Sequence, residues 1–233
     1  MRPRLSLLAM ILAGVVSAGV GAAWWARAVS RGEPETTTLE QLGDYGSVPA
    51  FTLTERSERQ VGESDLRGSV WVTDFIYTEC TETCPTQSLE LAALQREFAG
   101  TADLRLVSIT VDPAHDTPDV LRRYAERYGA TDRWWFLTGD KGAIYCLARQ
   151  GFRLSVVDPS GPAPACGQAF QMGPRAAWAS HGSKGLVMHS ARLALVDRRG
   201  HIRAYHLPTE SQSLDRLRVN IRTVLGERGP SLR

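Results

Sequence analysis

The sequence predicts an α/β domain, a central β-sheet flanked by helices, behind an N-terminal transmembrane helix. Three observations carry this. Leu5 to Ala26 is uncharged and apolar almost throughout. From Ser47 onward, strand-like and helix-like segments alternate, which implies a sheet covered by helices on both faces. Two cysteines stand where a buried strand gives way to a helix. With 43% hydrophobic and 22% charged residues, the chain buries a core without needing disulfides to fold.

The first segment sets the expected compartment. At about 1.5 Å per residue, Leu5 to Ala26 is long enough to cross a hydrocarbon core about 30 Å thick. Arg2 and Arg4 precede it and keep the start cytoplasmic, while Trp24 and Trp25 fall at the far interface. A cleaved signal peptide is the competing reading. The run exceeds the usual apolar signal core of about 7–15 residues, and Ala26-Arg27-Ala28 is a poor cleavage site. Either way the body is exported. The expected organisation is an anchor over 1–29, a polar linker over 30–46 with Gly, Pro and a Thr triplet, and one domain over 47–233.

Within the domain, Ala50 to Thr54 opens with a strand. Ser69 to Tyr77 is β-branched and aromatic, as a buried strand is. Pro85 to Phe98 is helical, with Leu91, Leu94 and Phe98 on one face. Leu104 to Val111 is a strand. Thr117-Pro118-Asp119 opens a helix with a cap residue, a proline at the first position and an early acid. Phe136 to Thr138 is extended, and Asp140 caps a helix to about Arg149. Phe152 to Val157 and Ala191 to Val196 read as strands. Ile202 to His206 pairs with the latter across Arg199-Gly200, and Ser213 to Leu225 is an amphipathic helix. Residues 158–187, rich in Gly, Pro, Ser and Ala, form a long loop.

A net charge of +2, with basic residues interleaved among acids, excludes the clustered basic face of a nucleic-acid binder. The chemistry lies in the four cysteines, Cys80, Cys84, Cys146 and Cys166. Four in a chain of 233 are too few for a disulfide scaffold. Cys80-Thr81-Glu82-Thr83-Cys84-Pro85 joins the buried strand to the helix. Amides and dipole at a helix start stabilise a thiolate there. The i, i+4 spacing puts both sulfurs on one side of the first turn, where they close a redox disulfide or share one soft metal ion. Small buried cysteines without chemistry and a purely structural disulfide are the plainer alternatives.

His189, in Val187-Met188-His189-Ser190 just before a strand, is the candidate third ligand; a lone histidine is more often a surface residue. Two thiolates and an imidazole suit copper as Cu(I) and Cu(II), whereas zinc prefers four ligands in a closed site. His115, His181, His201 and His206 are expected to be solvated, and Met188 is expected to pack.

Five segments resemble the SCO/SenC family of copper proteins. They are Asp74 to Cys80 with Cys84-Pro85, Val107 to Pro118, Trp135 to Asp140, His189-Ser190, and Leu195 to Gly200. They occur in the family's order across about residues 47–228. The resemblance implies a thioredoxin-like fold, an N-terminal anchor and one copper ion held by Cys80, Cys84 and His189. It implies assembly of the dinuclear copper site of cytochrome c oxidase, with the copper-bearing subunit or another copper protein as partner. Asp112 and Asp116 match a family acidic pair, read as capping or orienting groups rather than ligands. Met188 replaces a residue that is often acidic, and the stretch 158–187 does not align. Cys146 and Cys166 lie outside the family motif; a second disulfide and two separate thiols are both open.

Three functions follow. The first is a copper-binding assembly factor without turnover, its globular part extracytoplasmic in a periplasm-like or intermembrane-space-like setting. The second is a thiol–disulfide oxidoreductase in which one cysteine attacks and the other resolves. The third is a peroxidase with Cys80 as the reactive thiolate. His189 favours the first, since neither redox chemistry requires it.

Overall fold

The computed structural model describes residues 38–81, 83–157, 166, 188–189 and 191–227. A seven-stranded mixed sheet has the order β2-β1-β5-β4-β3-β8-β9. Its strands are β1 (Thr52–Glu55), β2 (Gln60–Gly62), β3 (Val70–Ile76), β4 (Leu104–Thr110), β5 (Trp134–Thr138), β8 (Leu193–Val196) and β9 (Ile202–His206). A separate two-stranded ladder joins β6 (Val156–Val157) to β7 (Met188–His189). The helices are α1 (Glu63–Leu66), α2 (Thr83–Glu97), α3 (Pro118–Arg127), α4 (Lys141–Cys146) and α5 (Ser211–Gly226). A π-helical turn, Leu147–Gly151, continues α4.

β3 runs through the centre, parallel to β4 and antiparallel to β8. Every residue of β3 is buried, Thr73 and Asp74 included, which is why it carries β-branched and aromatic residues on both faces rather than an apolar–polar alternation. Parallel β3 and β4 both end at the same edge of the sheet, and β3 delivers its chain there directly into the cysteine turn. One face carries α2, α3 and α5. Ser88 of α2 bonds Tyr124 of α3 at 2.9 Å, Tyr124 meets Phe136 of β5 edge-on, and Glu97 of α2 pairs with Arg218 and Arg222 of α5. On the other face Phe152, fully buried after the π-turn, packs edge-on against Trp71 and Phe75 of β3.

Several expectations changed. The hairpin arm β2 and helix α1 were not foreseen, because Gln60–Gly62 and Glu63–Leu66 are too short to show a period. The extended piece at Phe136 begins two residues earlier, at the tryptophans that line the core. Of the expected strand from Phe152, Val156–Val157 alone forms a ladder among the described residues, because the π-turn takes the chain up to Gly151 and Phe152 turns inward. The hairpin at Arg199-Gly200 forms as expected. Gly200 has φ +78°, and a Cβ there would lie 2.8 Å from the Glu63 carboxylate. The compact unit begins at Leu39, so residues 39–46 of the expected linker belong to the domain. Gly43 and Tyr45 donate amide hydrogen bonds to Arg203 and Ile202 of β9, and Tyr45 packs edge-on against Tyr205.

The expected anchor over 1–29 and nearly all of the 158–187 loop lie outside the described residues. Among the described residues no helix is long and apolar enough to cross a membrane.

Candidate metal and redox site

Cys80 closes a turn after β3, its amide donating to the Tyr77 carbonyl at 3.1 Å. Its sulfur then faces the first turn of α2. The Cys84 amide donates to Cys80 Sγ at 3.4 Å, and the Thr83 hydroxyl lies 3.9 Å from the same sulfur. A helix-start amide aimed at sulfur favours the anionic form. Cys84 is fully buried one turn along, whereas Cys80 sits at the margin of the surface. Both are thiols in this structure rather than a disulfide. The Cys84 thiol is pushed far up from its ordinary value, first by its hydrogen bond to the Cys80 sulfur, then by burial and by the Cys80 charge; the Asp74 carboxylate adds to this. The pair is therefore unequal: the Cys80 sulfur accepts the Cys84 amide at the margin of the surface, and the buried Cys84 thiol holds its proton. Two sulfurs in hydrogen-bonding contact suit one soft cation or an internal disulfide.

A buried carboxylate fixes the turn that carries Cys80. Asp116 is fully buried and accepts from the Thr78 amide at 3.0 Å, the Thr78 hydroxyl at 2.5 Å and the Thr110 hydroxyl at 2.5 Å. It thereby ties the loop after β3 to the end of β4 and the turn before α3. His115 spans the outer side of this clamp, its Nδ1 3.0 Å from Asp116 and its Nε2 3.2 Å from Glu79, the neighbour of Cys80. The Asp116 hydrogen bond, with the charges of Glu79 and Asp112, raises the His115 pKa against a smaller effect of burial. Asp112 contributes through its main chain, its carbonyl accepting from the amides of His115 and Asp116. Asp116 thus orients the Cys80 turn from behind, as the sequence suggested for it, whereas Asp112 acts through its main chain. Thr78, Thr110, His115 and Glu79 are the members sequence reasoning missed. A threonine at a strand end or in a turn carries no signal of its own, and only the fold brings Thr78 and Thr110 to Asp116.

His189 lies in β7, its backbone registered opposite Val156. β8 runs antiparallel to β3, Thr73 opposite Ala194, so chain entering β8 comes from the carboxyl end of β3, where the cysteine turn begins. His189 precedes Leu193 by four residues, a reach of at most about 14 Å. The structure thus brings Cys80 and Cys84 together and describes the backbone of His189, not its side chain. Cys146 and Cys166 form a disulfide.

Of the histidines expected to be solvated, His115 is partly exposed and His201 pairs at the surface with Asp44, 3.0 Å away. His206 is the exception: it is fully buried between β9 and α5. Alternation along β9 puts it on the core face, where Ser213 and Asn220 satisfy both ring nitrogens. His181 lies outside the described residues.

Comparison with known proteins bears on the family and the fold. A family model described as SCO1/SenC matches residues 40–225. A Bacillus subtilis protein named SCO1 protein homolog is 35% identical over 117 residues, 49% of this chain and 61% of that protein. The chain therefore spans about three fifths of that relative. Among solved structures, Bradyrhizobium japonicum ScoI with copper bound superposes with a TM-score of 0.58 at 20% identity, covering 77% of this chain and 99% of that one. BsSco, described as a member of the Sco family of cytochrome c oxidase assembly proteins with a disulfide switch, gives 0.61 at 24% identity, covering 81% of this chain and 99% of that one. The two likenesses establish the thioredoxin-like fold of this family.

Proposed function

The chain belongs to the SCO1/SenC family, and from that premise we propose that it binds one copper ion through Cys80, Cys84 and His189 and serves the assembly of cytochrome c oxidase. The observation that carries the proposal is the unequal cysteine pair, with one sulfur held by helix-start hydrogen bonds and the other buried against it. Copper is here the cargo. Each thiol that ligates it gives up a proton, so uptake is coupled to pH. Cys80 offers the first ligand at the surface, and Cys84 follows as its proton leaves. His189 supplies the imidazole that accommodates Cu(II) as well as Cu(I). The acceptor is the copper-bearing subunit of the oxidase or another copper protein. An anchor over Leu5 to Ala26 holds the domain on the extracytoplasmic side, and resistance of the protein to alkaline carbonate extraction from membranes tests that anchor.

The same asymmetry favours a second, coupled role as thiol reductant. Cys80 attacks one sulfur of a partner disulfide, releasing the other as a thiolate; Cys84 then loses its proton and attacks Cys80, freeing the partner dithiol and leaving the Cys80–Cys84 disulfide. That disulfide holds no copper, so donation and reduction exclude each other in time.

The test is to reduce the full chain without oxygen and titrate it with Cu(I) and Cu(II). One equivalent of each is expected, with thiolate-to-copper charge transfer in the Cu(II) form. Native-like binding in all of Cys80→Ala, Cys84→Ala and His189→Ala refutes the ligand set. No copper uptake together with rapid reduction of insulin disulfides leaves the reductant role standing alone.

A further inference from the structure

We propose that the Cys146–Cys166 disulfide, which belongs to no part of the copper motif, is a positioning element for His189. This rests on the ligand set proposed above. The bond joins residues 20 apart in sequence, and the loop it closes contains β6. β6 is in turn the strand that pairs with β7, Val156 opposite His189 and Val157 opposite Met188. A ladder of two residues per strand does not hold itself together in water. It needs its ends fixed, and the disulfide fixes one of them.

The fixed end is firm. Asp140 caps α4 by accepting from the Ala143 amide at 2.8 Å. The π-turn that follows is locked by hydrogen bonds from the Phe152 amide to the Leu147 carbonyl and from the Leu154 amide to the Ala148 carbonyl. Phe152 is fully buried against Trp71 and Phe75, and the Tyr205 hydroxyl donates to its carbonyl at 2.9 Å. A Cβ on Gly151 would lie 2.8 Å from Pro49, so the backbone has no room to drift. Cys146 thus stands at the rigid root of this structure, and Cys166 is tied to it beyond β6. With both ends of the 147–165 stretch held, β6 offers β7 a fixed edge. Breaking the bond frees one end of β6, and His189 loses the partner of its backbone.

The two copper states separate this role from general stabilisation, because Cys80 and Cys84 stand on α2 and the β3 turn, away from the disulfide loop in sequence. Two measurements on the full chain, wild type against Cys146→Ser/Cys166→Ser, test it. In hydrogen exchange without metal, the amides of 156–157 and 188–189 are expected to lose at least tenfold in protection while those of β3 and β4 keep theirs. In anaerobic titration, Cu(I) affinity is expected to stay within about twofold, while Cu(II) affinity falls at least tenfold and its charge-transfer band shifts towards that of His189→Ala. Adding His189→Ala to the double variant is expected to cost little more. Unchanged protection at 156–157 and 188–189 overturns the proposal, as does an equal fall in Cu(I) and Cu(II) affinity. If β3 and β4 lose protection too, the exchange comparison is made on the wild-type chain with that disulfide reduced by a dithiol, and the same criteria apply. If the wild type takes up no copper, the ligand set fails and with it the role towards His189, while the exchange result still decides whether the disulfide holds β6 to β7.

Discussion

At the scale of single residues, Asp116 bears the heaviest demand, because three donors converge on one buried carboxylate. Asn is nearly isosteric but carries no charge and puts an NH2 group where one accepting oxygen stood, so the donors around it must re-orient. Asp116→Asn is expected to cost about 2 kcal/mol in urea unfolding, as for buried hydrogen bonds to a charged group. The same change should loosen the Cys80 turn, seen as faster alkylation of Cys80. A variant as stable as wild type, with Cys80 equally slow to react, contradicts the clamp. His206 makes a different prediction. Its Nδ1 lies 3.0 Å from the Ser213 carbonyl and its Nε2 3.2 Å from the Asn220 amide, whose nitrogen also donates to the Glu40 carbonyl. A carbonyl on one side and an N–H donor on the other fix a neutral ring, and burial lowers its pKa from 6.5 to about 4. The unfolded chain takes up this proton first as pH falls. The folded state therefore loses stability between about pH 6.5 and 4, by about 3 kcal/mol from this group. Urea midpoints at pH 7 and pH 4.5 should show a smaller drop for His206→Gln than for wild type; equal drops refute the assignment.

Elements show why parts of this molecule were readable in advance. α3 was legible because its signals are local: Thr117 accepts from the Val120 amide and Pro118 fills the first position, both visible as Thr-Pro-Asp. β3 was legible because burial on both faces fills it with β-branched and aromatic side chains, Thr73 and Asp74 notwithstanding. The cysteine turn was legible for the same reason, being bounded by those two kinds of element. What escaped depends on partners distant in sequence. Nothing around His206 announces that α5 will cover it, and nothing around Thr78 announces Asp116. The π-turn escaped because a helical period continues through Leu147–Gly151, and only the docking of Phe152 shows where it ends. The cap of α4 offers a test at this scale. Asp140→Ala leaves the Ala143 amide without its side-chain acceptor and is expected to lower stability by about 1 kcal/mol. Thermal unfolding checks this, and an unchanged Tm would mean that α4 is held by its neighbours alone.

For the whole molecule, the decisive contacts join the start of the domain to its end. Glu40 is buried and pairs with Arg216 of α5 at 3.0 Å, while its carbonyl accepts from Asn220. Gly43 and Tyr45 bond β9, Arg203 returns a side-chain bond to the Gly43 carbonyl at 2.8 Å, and Ser47 bridges His201. A chain beginning at residue 47 keeps the Ser47 bridge but loses the other five bonds and the Tyr45–Tyr205 contact, and is therefore expected to be less stable than one beginning at residue 38 by about 5–6 kcal/mol, at about 1 kcal/mol per bond plus the aromatic contact. Urea unfolding of the two chains measures it, and equal midpoints would make the segment an ornament. The same arrangement governs how the chain comes into being. The central strand β3 waits for β8, well over a hundred residues downstream, and the first segment waits for β9 later still. A chain emerging from its amino end therefore carries an open-edged, unfinished sheet for most of its length, and pairings so distant in sequence form slowly. The domain closes only when β8 and β9 arrive, so completion of the fold waits until residues 193–206 have been made.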